Sequence, residues 1–384
     1  MQRGVATFTL DSGKCPKWLF ERMVSLGREM AEVLIQEYGP DEFIKRIGDP
    51  VWFQSLGTVL AFDWNASGLT TILTAALKEA IRGREREFGV FICGGKGKTS
   101  LKTPDEIERW GQILYLPAEH TSKLVYNSKM SAKVDSSLIQ DGYQLYHHAF
   151  FFSKNGAWTV IQQGMNQSNQ TARRYHWHSA NVKDIIVEPH TGIMSDFVRK
   201  SPTLNMTSKN SESSRNISVE MVQNNPRSFL KDMEILRKHS TKLSQVLSMG
   251  ADGEQLTFMK LAPVEFHTHD VLTEDFSQSR YLERILLKLN TDKPKSYEQL
   301  LATEGVGPKT IRALSLVGEV IYGAKASYED PARYSFAHGG KDATPYPVDK
   351  TTYDQTIDIL KKAVNKTKLS LTEKNKAIGR LVHF

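Results

Sequence analysis

The spacing of apolar residues changes along the chain from the period of a helix to the period of a strand. From residue 15 to about residue 82, apolar side chains recur at intervals of three and four positions, which predicts a helical region. Residues 145–152 are rich in aromatic side chains, and residues 157–162 alternate in the manner of a strand. Asn155-Gly156 stands between them and is typical of a tight β-hairpin turn. We therefore expect an α+β protein that is mostly helical and contains a small antiparallel sheet.

Breaks in the helical pattern predict where the elements end. Gly39-Pro40 and Asp49-Pro50 should interrupt the first helices, and residues 201–227, rich in Ser, Asn, Thr and Lys, predict a long surface loop. At 384 residues the chain exceeds what one core usually organises, so we expect several domains. The predicted segments are a helical N-terminal domain (1–125), a small α+β domain (126–200), a linker with helices (201–280), a helix-hairpin-helix region (281–345) and C-terminal helices (346–384).

The charge of the chain favours a polyanionic partner. Lys and Arg number 50 and Asp and Glu number 43, giving a formal charge of +7 and an isoelectric point near 9.1. Cys15 and Cys93 form no Cys-x-x-Cys motif, so any metal must bind histidines and carboxylates. The chain shows neither a secretory signal nor an apolar stretch of membrane-spanning length, and we therefore expect a cytoplasmic protein that does not enter membranes.

A glycine turn near the C-terminus is the strongest local motif. Gly305-Val306-Gly307-Pro308-Lys309 follows a predicted helix and begins another. The glycines permit a positive φ and a close approach of the backbone, and Pro308 suits the first turn of a helix. The spacing predicts a helix-hairpin-helix whose backbone N–H groups face outward.

Such a turn can bind a phosphate of double-stranded DNA without reading the bases. The N–H groups and the helix N-terminus attract the phosphate, while Lys309 adds charge and Thr310 adds a hydroxyl. A plain pair of packed helices is the alternative interpretation. The predicted DNA-binding residues are Gly305, Val306, Gly307, Lys309, Thr310 and Arg312, together with Arg173 and Arg174 of the central segment.

Polar residues concentrate in the central segment, where they suggest a catalytic centre. On a strand, His147 and His148 face opposite sides, so one of them can join Asp135 and Asp141 in a site. Carboxylates and a histidine can hold Mg²⁺ or Mn²⁺ beside a phosphodiester, which predicts a metal-dependent DNA nuclease. A satisfied internal hydrogen-bond network is the alternative. The predicted catalytic residues are Lys133, Asp135, Asp141, His147, His148 and Gln163, and the predicted metal ligands are Asp135, Asp141 and His148.

Two further functions stay open for the same turn. Its lysine resembles the lysine of base-excision glycosylases that forms a Schiff base, which would make Lys309 and Asp330 the centre of a DNA glycosylase and AP lyase. A DNA-binding adaptor without enzymatic activity is the other possibility. Elsewhere, Gly97-Lys98-Thr99 resembles the end of a phosphate loop whose first glycine is replaced by Ile92. A basic loop that touches nucleic-acid phosphate is the better functional interpretation, and an exposed flexible loop is an equal alternative.

Several distinctive stretches resemble a known family over nearly the whole chain. They are WLFERM (18–23), QDGYQLYHH (140–148), QQGMN (162–166), ARRYHW (172–177) and FAHGGKD (336–342). Together they resemble the domain of unknown function 763 family of archaeal and bacterial proteins. The resemblance implies a prokaryotic, often thermophilic source and supplies no catalytic residues.

Overall fold

A computed structural model gives the fold of residues 15–60, 66–195, 202–224, 227–228, 231–232, 280–332, 334–335 and 350–382. These described residues form two units. The first unit draws on 1–135, 142–198 and 331–384, and the second on 136–141 and 199–330. The structure thus groups the chain differently from the five predicted segments, because the N-terminal helices and the central sheet share one core.

Helices and strands are numbered here in chain order. The described helices are α1 (Lys17–Ile47), α2 (Pro50–Val59), α3 (Ala66–Ile81), α4 (Glu85–Phe88), α5 (Thr103–Ile113), α6 (Ala118–Ser137), α7 (Glu212–Gln223), α8 (Arg280–Asp292), α9 (Tyr297–Ala302), α10 (Pro308–Tyr322), α11 (Lys350–Lys366) and α12 (Leu371–Val382). The described strands are β1 (Val90–Lys96), β2 (Ile139–Gln140), β3 (Gln144–Ser153), β4 (Trp158–Asn166), β5 (Thr171–His178), β6 (His190–Ser195), β7 (Leu204–Asn205) and β8 (Tyr334–Ser335). Short 3-10 turns cover Gly97–Lys102 and Lys209–Ser211.

The helix breaks predicted in the N-terminal region are confirmed. Gly39 has a φ of 83° and kinks α1 just before Pro40, because glycine tolerates this left-handed backbone and proline cannot donate to the helix before it. Asp49 caps α2, and its carboxylate accepts a hydrogen bond of 2.8 Å from the backbone N–H of Trp52. Pro50 then occupies the first helical position.

The first unit is built around one mostly antiparallel sheet with the order β1-β3-β4-β5-β6-β8. The predicted hairpin is β3–β4, in which Phe152 lies opposite Trp158 across the turn. Strand β8 pairs with β6 in parallel, and β2 pairs with β7 in a separate two-stranded sheet of the second unit. The predicted α+β class, mostly helical with a small sheet, is confirmed.

Helices cover the sheet of the first unit on both faces. Phe151 and Ile161 point into the core shared with α1, α2 and α3. On the opposite face Phe91 stacks on Phe152 at 5.0 Å between ring centroids and contacts Trp110 of α5 at 4.9 Å. Alternate residues of one strand therefore enter two different cores, which explains why the run in β3 is apolar without alternation.

The second unit contains a helix where the sequence predicts a loop. Helix α7 begins at Glu212, and its Ser214 and Ser218 are buried, with Ser218 Oγ donating to the Ser214 carbonyl at 2.7 Å. Arg215 donates to the carbonyls of Met206 and Ser208 at 2.8 and 2.6 Å. The prediction was wrong because small hydroxyl side chains pack this helix where the periodic pattern requires apolar ones.

Some of the other predictions are confirmed, and the rest concern residues outside those that the structure describes. Apolar residues recur at helical spacing in 281–289, 353–364 and 371–381, and the helices that this spacing predicts correspond to α8, α11 and α12. Four sequence features lie outside the described residues: the helical spacing of 229–247, the aromatic stretch 62–65, the His-x-His pair at 267–269 and the FAHGGKD stretch at 336–342. Within the described ranges, we find no helix whose length and apolar character would let it cross a membrane.

Two helical glycines provide a matched test of the core. A Cβ at Gly57 of α2 would lie 2.5 Å from Leu69 Cδ1, whereas one at Gly27 of α1 would meet Leu60 Cδ1 at 3.6 Å, an ordinary contact. Gly57→Ala should lower the free energy of unfolding by about 1–3 kcal/mol through overpacking. Gly27→Ala should raise it by about 0.5–1 kcal/mol through helix propensity. Denaturant titration measures both, and equal effects at the two positions would contradict this account of the packing.

Candidate functional site

Polar side chains of the central strands lie in two layers, one on each face of the sheet. His147 pairs across the strands with Gln163, and His148 pairs with Gln162. Successive residues of a strand point to opposite faces, so the two pairs are separated by the sheet. The predicted separation of His147 from His148 is confirmed.

Asp135 of α6 is the centre of the layer that contains His148. Its Oδ2 accepts hydrogen bonds from Gln162 Nε2 at 2.5 Å and from Trp177 Nε1 at 3.0 Å. Its Oδ1 lies 2.5 Å from His190 Nε2, and the Asp135 side chain has 0% of its surface exposed. Both carboxylate oxygens are thus held by side-chain donors from β4, β5 and β6.

The same layer continues from Gln162 to a serine. Gln162 Nε2 also donates to the Ser131 carbonyl at 3.2 Å, and its Oε1 lies 2.9 Å from His148 Nδ1. The other ring nitrogen of His148, Nε2, is 2.9 Å from Ser128 Oγ. Burial lowers the pKa of His148 below its usual value, which favours the neutral ring.

The opposite layer is organised around His147 and Gln163. His147 Nε2 lies 3.2 Å from Thr74 Oγ1, and Gln163 Nε2 donates to the Ser67 carbonyl at 2.9 Å and to the Tyr146 hydroxyl. Among the described residues, His147 Nδ1 and Gln163 Oε1 have no hydrogen-bond partner. Burial, aided by the charges of His148 and Lys96, lowers the pKa of His147 to about 3.

Arg173 and Arg174 are buried inside the first unit. Arg174 donates to Gln54 Oε1 at 3.0 Å and to Thr70 Oγ1 at 3.3 Å, and burial lowers its pKa to about 9. The Arg173 guanidinium lies 4.7 Å from the centroid of the Tyr143 ring. Both residues are 0% exposed, so the prediction that they contact DNA does not fit their position. Helices on both faces of β5 enclose even its charged residues.

The predicted metal ligands do not form one open site. Asp135 and His148 are linked through Gln162, and Asp141 is a buried residue of the second unit. Lys133 lies two positions from Asp135 on α6, and residues so spaced do not face each other. In the part of the chain that the structure describes, no three His, Cys, Asp or Glu side chains are placed to hold a metal ion. These residues do not fit Mg²⁺ or Mn²⁺ in this arrangement, and the metal stays a prediction.

In the second unit, the glycine turn joins α9 to α10. Gly305 has a φ of 90°, and a Cβ there would lie 2.2 Å from Ile285 Cδ1. The Tyr281 hydroxyl donates to the Gly305 carbonyl at 2.6 Å. Gly307 is extended and precedes Pro308, the first residue of α10. Apart from Gly307 itself and its two chain neighbours, no atom of the described residues lies within 4 Å of a Cβ built on Gly307.

Side chains at the start of α10 differ in exposure. Lys309 is exposed, whereas Val306 and Thr310 are buried at 3% and 1%. Thr310 therefore presents no hydroxyl to the surface, contrary to the prediction, because its side chain points into the unit. Arg312 Nε donates to Gln140 Oε1 at 2.6 Å, and Gln140 Nε2 donates to the Pro308 carbonyl at 3.0 Å. Gln140 of β2 thus holds the first turn of α10.

With this geometry described, comparison with known proteins assigns the chain to a family. The family described as "Protein of unknown function (DUF763)" matches residues 4–348. The chain belongs to this family. No curated protein and no solved structure matches it. The resemblance inferred from the sequence motifs is confirmed, and the candidate sites of this DUF763 protein must be judged from their own geometry.

Two weaker motifs of this DUF763 protein have structural explanations. His176-x-His178 has the spacing of a metal-binding pair on a strand, but His176 is 0% exposed and packs edge-on against the Phe53 ring at 5.4 Å. In the glycine-rich loop, the Gly94 N–H donates to Glu106 Oε2 at 2.8 Å. Lys96 and Lys98 of that loop are exposed, as expected of a basic surface loop.

Sequence reasoning missed several members of the Asp135 layer, among them Ser128, Ser131 and His190. A usable signal was present in α6, where Ser128, Ser131 and Asp135 recur at helical spacing and share one face. His190 lacked any such signal. It reaches Asp135 because β6 pairs beside β5 with a register shift near Trp177, which no local pattern reveals.

The buried histidines predict a loss of stability in acid. The pKa of His147, about 3 when folded, lies below its ordinary value of 6.5, so between these pH values the unfolded chain binds a proton that the folded chain does not. The stabilising contribution is complete above pH 6.5 and falls as the pH decreases below it. His147→Gln should reduce the slope of unfolding free energy against pH by about 1.4 kcal/mol per pH unit. Denaturant titrations from neutral to mildly acidic pH measure this, and an unchanged slope would refute it.

Proposed function

We propose that this DUF763 protein binds double-stranded DNA without sequence preference, through the glycine turn before α10. Gly307 is the observation that carries the proposal. Packing against Ile285 and a positive φ account for Gly305, whereas Gly307 is extended and has open space where a side chain would lie. A glycine with neither constraint is suited to a surface that another molecule must approach closely.

A phosphate is the partner that this surface suits. Gly307 has no side chain with which to cap α10, so the first N–H groups of a 15-residue helix can face a ligand. The helix dipole favours an anion there, and the exposed Lys309 ammonium adds attraction. Because contacts to phosphate carry no base information, the binding should be independent of sequence.

The geometry supports DNA binding more than metal-dependent cleavage at Asp135. That carboxylate is buried and accepts hydrogen bonds at both oxygens, whereas a nuclease needs an oxygen open to the metal. Nuclease activity and lyase activity of Lys309 with Asp330 stay predictions. A role in DNA repair or processing is part of the proposal, and it agrees with the cytoplasmic location expected from the sequence.

Lys309→Gln tests the electrostatic part of the proposal. Removing one phosphate-facing charge should weaken binding similarly for unrelated duplexes and reduce the slope of log affinity against log salt by about 0.9. Fluorescence anisotropy with labelled duplexes measures both quantities. Lys17→Gln, which removes an exposed charge of α1, is the matched control and should leave the slope unchanged. If the unmodified protein retains no duplex at low salt, DNA binding by this turn is excluded.

Gly307→Ala tests the close approach separately from charge. The added methyl has open space, so the thermal unfolding midpoint should stay within experimental error while duplex affinity falls several-fold. Affinity equal to that of the unmodified protein would contradict a phosphate contact at this amide.

Activity assays separate the three functional hypotheses. Cleavage of labelled DNA with Mg²⁺ or Mn²⁺ that EDTA abolishes would favour the nuclease. Borohydride trapping on damaged DNA that Lys309→Gln abolishes would favour the lyase. Binding without either reaction supports the adaptor.

A further inference from the structure

The Asp135 layer of the first unit forms a continuous chain of hydrogen bonds that ends at a hydroxyl. Ser128 Oγ, the two ring nitrogens of His148, the Gln162 amide and the Asp135 carboxylate are joined by successive distances of 2.9, 2.9 and 2.5 Å. All four residues are buried, and His148 is the least buried at 7% exposure.

The direction of every proton in this chain follows from the acceptors around Gln162. Its Nε2 faces the Asp135 carboxylate and the Ser131 carbonyl, which only accept hydrogen bonds when the carboxylate is ionised. A flipped amide would place an oxygen against both, so Oε1 must face His148. Nδ1 of His148 therefore carries the hydrogen, and its Nε2 has a lone pair that the Ser128 hydroxyl can reach.

This is the arrangement of a nucleophile, a base and an orienting group. A serine hydroxyl donates to a neutral imidazole, whose other nitrogen is fixed as a donor by a polar partner. We propose that Ser128 is a catalytic nucleophile and His148 its general base, in a second activity of this protein directed at small carboxylic esters. Gln162 and Asp135 are positioning residues that hold His148 in the required tautomer.

The reaction is a two-step hydrolysis. Ser128 Oγ bonds to the ester carbonyl carbon while its proton passes to His148 Nε2 and the carbonyl π electrons move to oxygen. Collapse of this adduct breaks the bond to the alcohol oxygen, which takes the proton from His148. Water then attacks the acyl carbon and gives a proton to His148, and Ser128 Oγ leaves and recovers that proton. The sum is ester plus water giving acid plus alcohol.

The local structure favours a small substrate. Gly95 of β1 lies directly across from His148, and Thr99 Cγ2 lies 3.3 Å from where a Cβ on Gly95 would be, so little room is left on this side of the imidazole. Gly95 is half-buried and the residues that follow it are exposed, which makes the His148 end of the chain the nearest to solvent. A bulky polymer does not suit this approach.

A fluorophosphonate probe tests the proposal on the intact protein. Ser128 Oγ should bond to phosphorus as the P–F bond breaks, with fluoride leaving and the hydroxyl proton passing to His148. Mass spectrometry of peptides should locate one adduct on Ser128, a result that needs no variant to fold. Folded protein without an adduct on Ser128, or with the adduct on another residue, would overturn the proposal.

Variants measured on folded protein distinguish catalysis from packing. Ser128→Ala should abolish labelling, and His148→Gln should slow it by about 10²–10⁴-fold. Gln162→Met should slow labelling of Ser128 without moving the adduct, whereas a purely structural role would change the unfolding temperature alone. Ser122→Ala, at an exposed serine of the same helix, is the control and should leave the rate unchanged. The DNA-binding turn belongs to the second unit, so either proposal can fail without the other.

Discussion

A buried carboxylate governs the first unit of this protein. An ionised group without water is costly unless partners replace its hydration, and Asp135 obtains its partners from three neighbouring strands through Gln162, Trp177 and His190. These bonds join α6 to β4, β5 and β6. The face of the sheet beneath α6 can therefore be polar and still be enclosed.

The buried Asp135 carboxylate also determines where the neighbouring side chains carry their hydrogens, and this effect is confined to its own face of the sheet. Asp135 orients Gln162, which determines the tautomer of His148 and leaves an acceptor for Ser128. On the opposite face, Gln163 donates to the Ser67 carbonyl, and among the described residues its own oxygen accepts no hydrogen bond. The sheet thus separates a directed chain of hydrogen bonds on one face from a set of local hydrogen bonds on the other.

The parts that sequence predicted are those governed by local rules. Asn155-Gly156 located the hairpin, Gly39 and Pro50 marked helix ends, and the spacing around Gly307 located the turn before α10. Pairing across strands required information that local patterns lack. Whether Gln162 or Gln163 accompanies Asp135 depends on which face α6 covers, and the burial of Arg174 depends on helices lying on both sides of β5. In α7, buried serines weakened the apolar signal.

The two glycines of the turn show how structure separates folding from function. Gly305 needs its positive φ, and any side chain there would collide with Ile285, so the fold alone explains it. Gly307 has an extended backbone and open space, so the fold does not require a glycine there. Its lack of a side chain instead leaves the start of α10 accessible, and an accessible helix N-terminus beside an exposed lysine is suited to an anion. Under the proposed function, Gly307 therefore serves the approach of a phosphate rather than the fold.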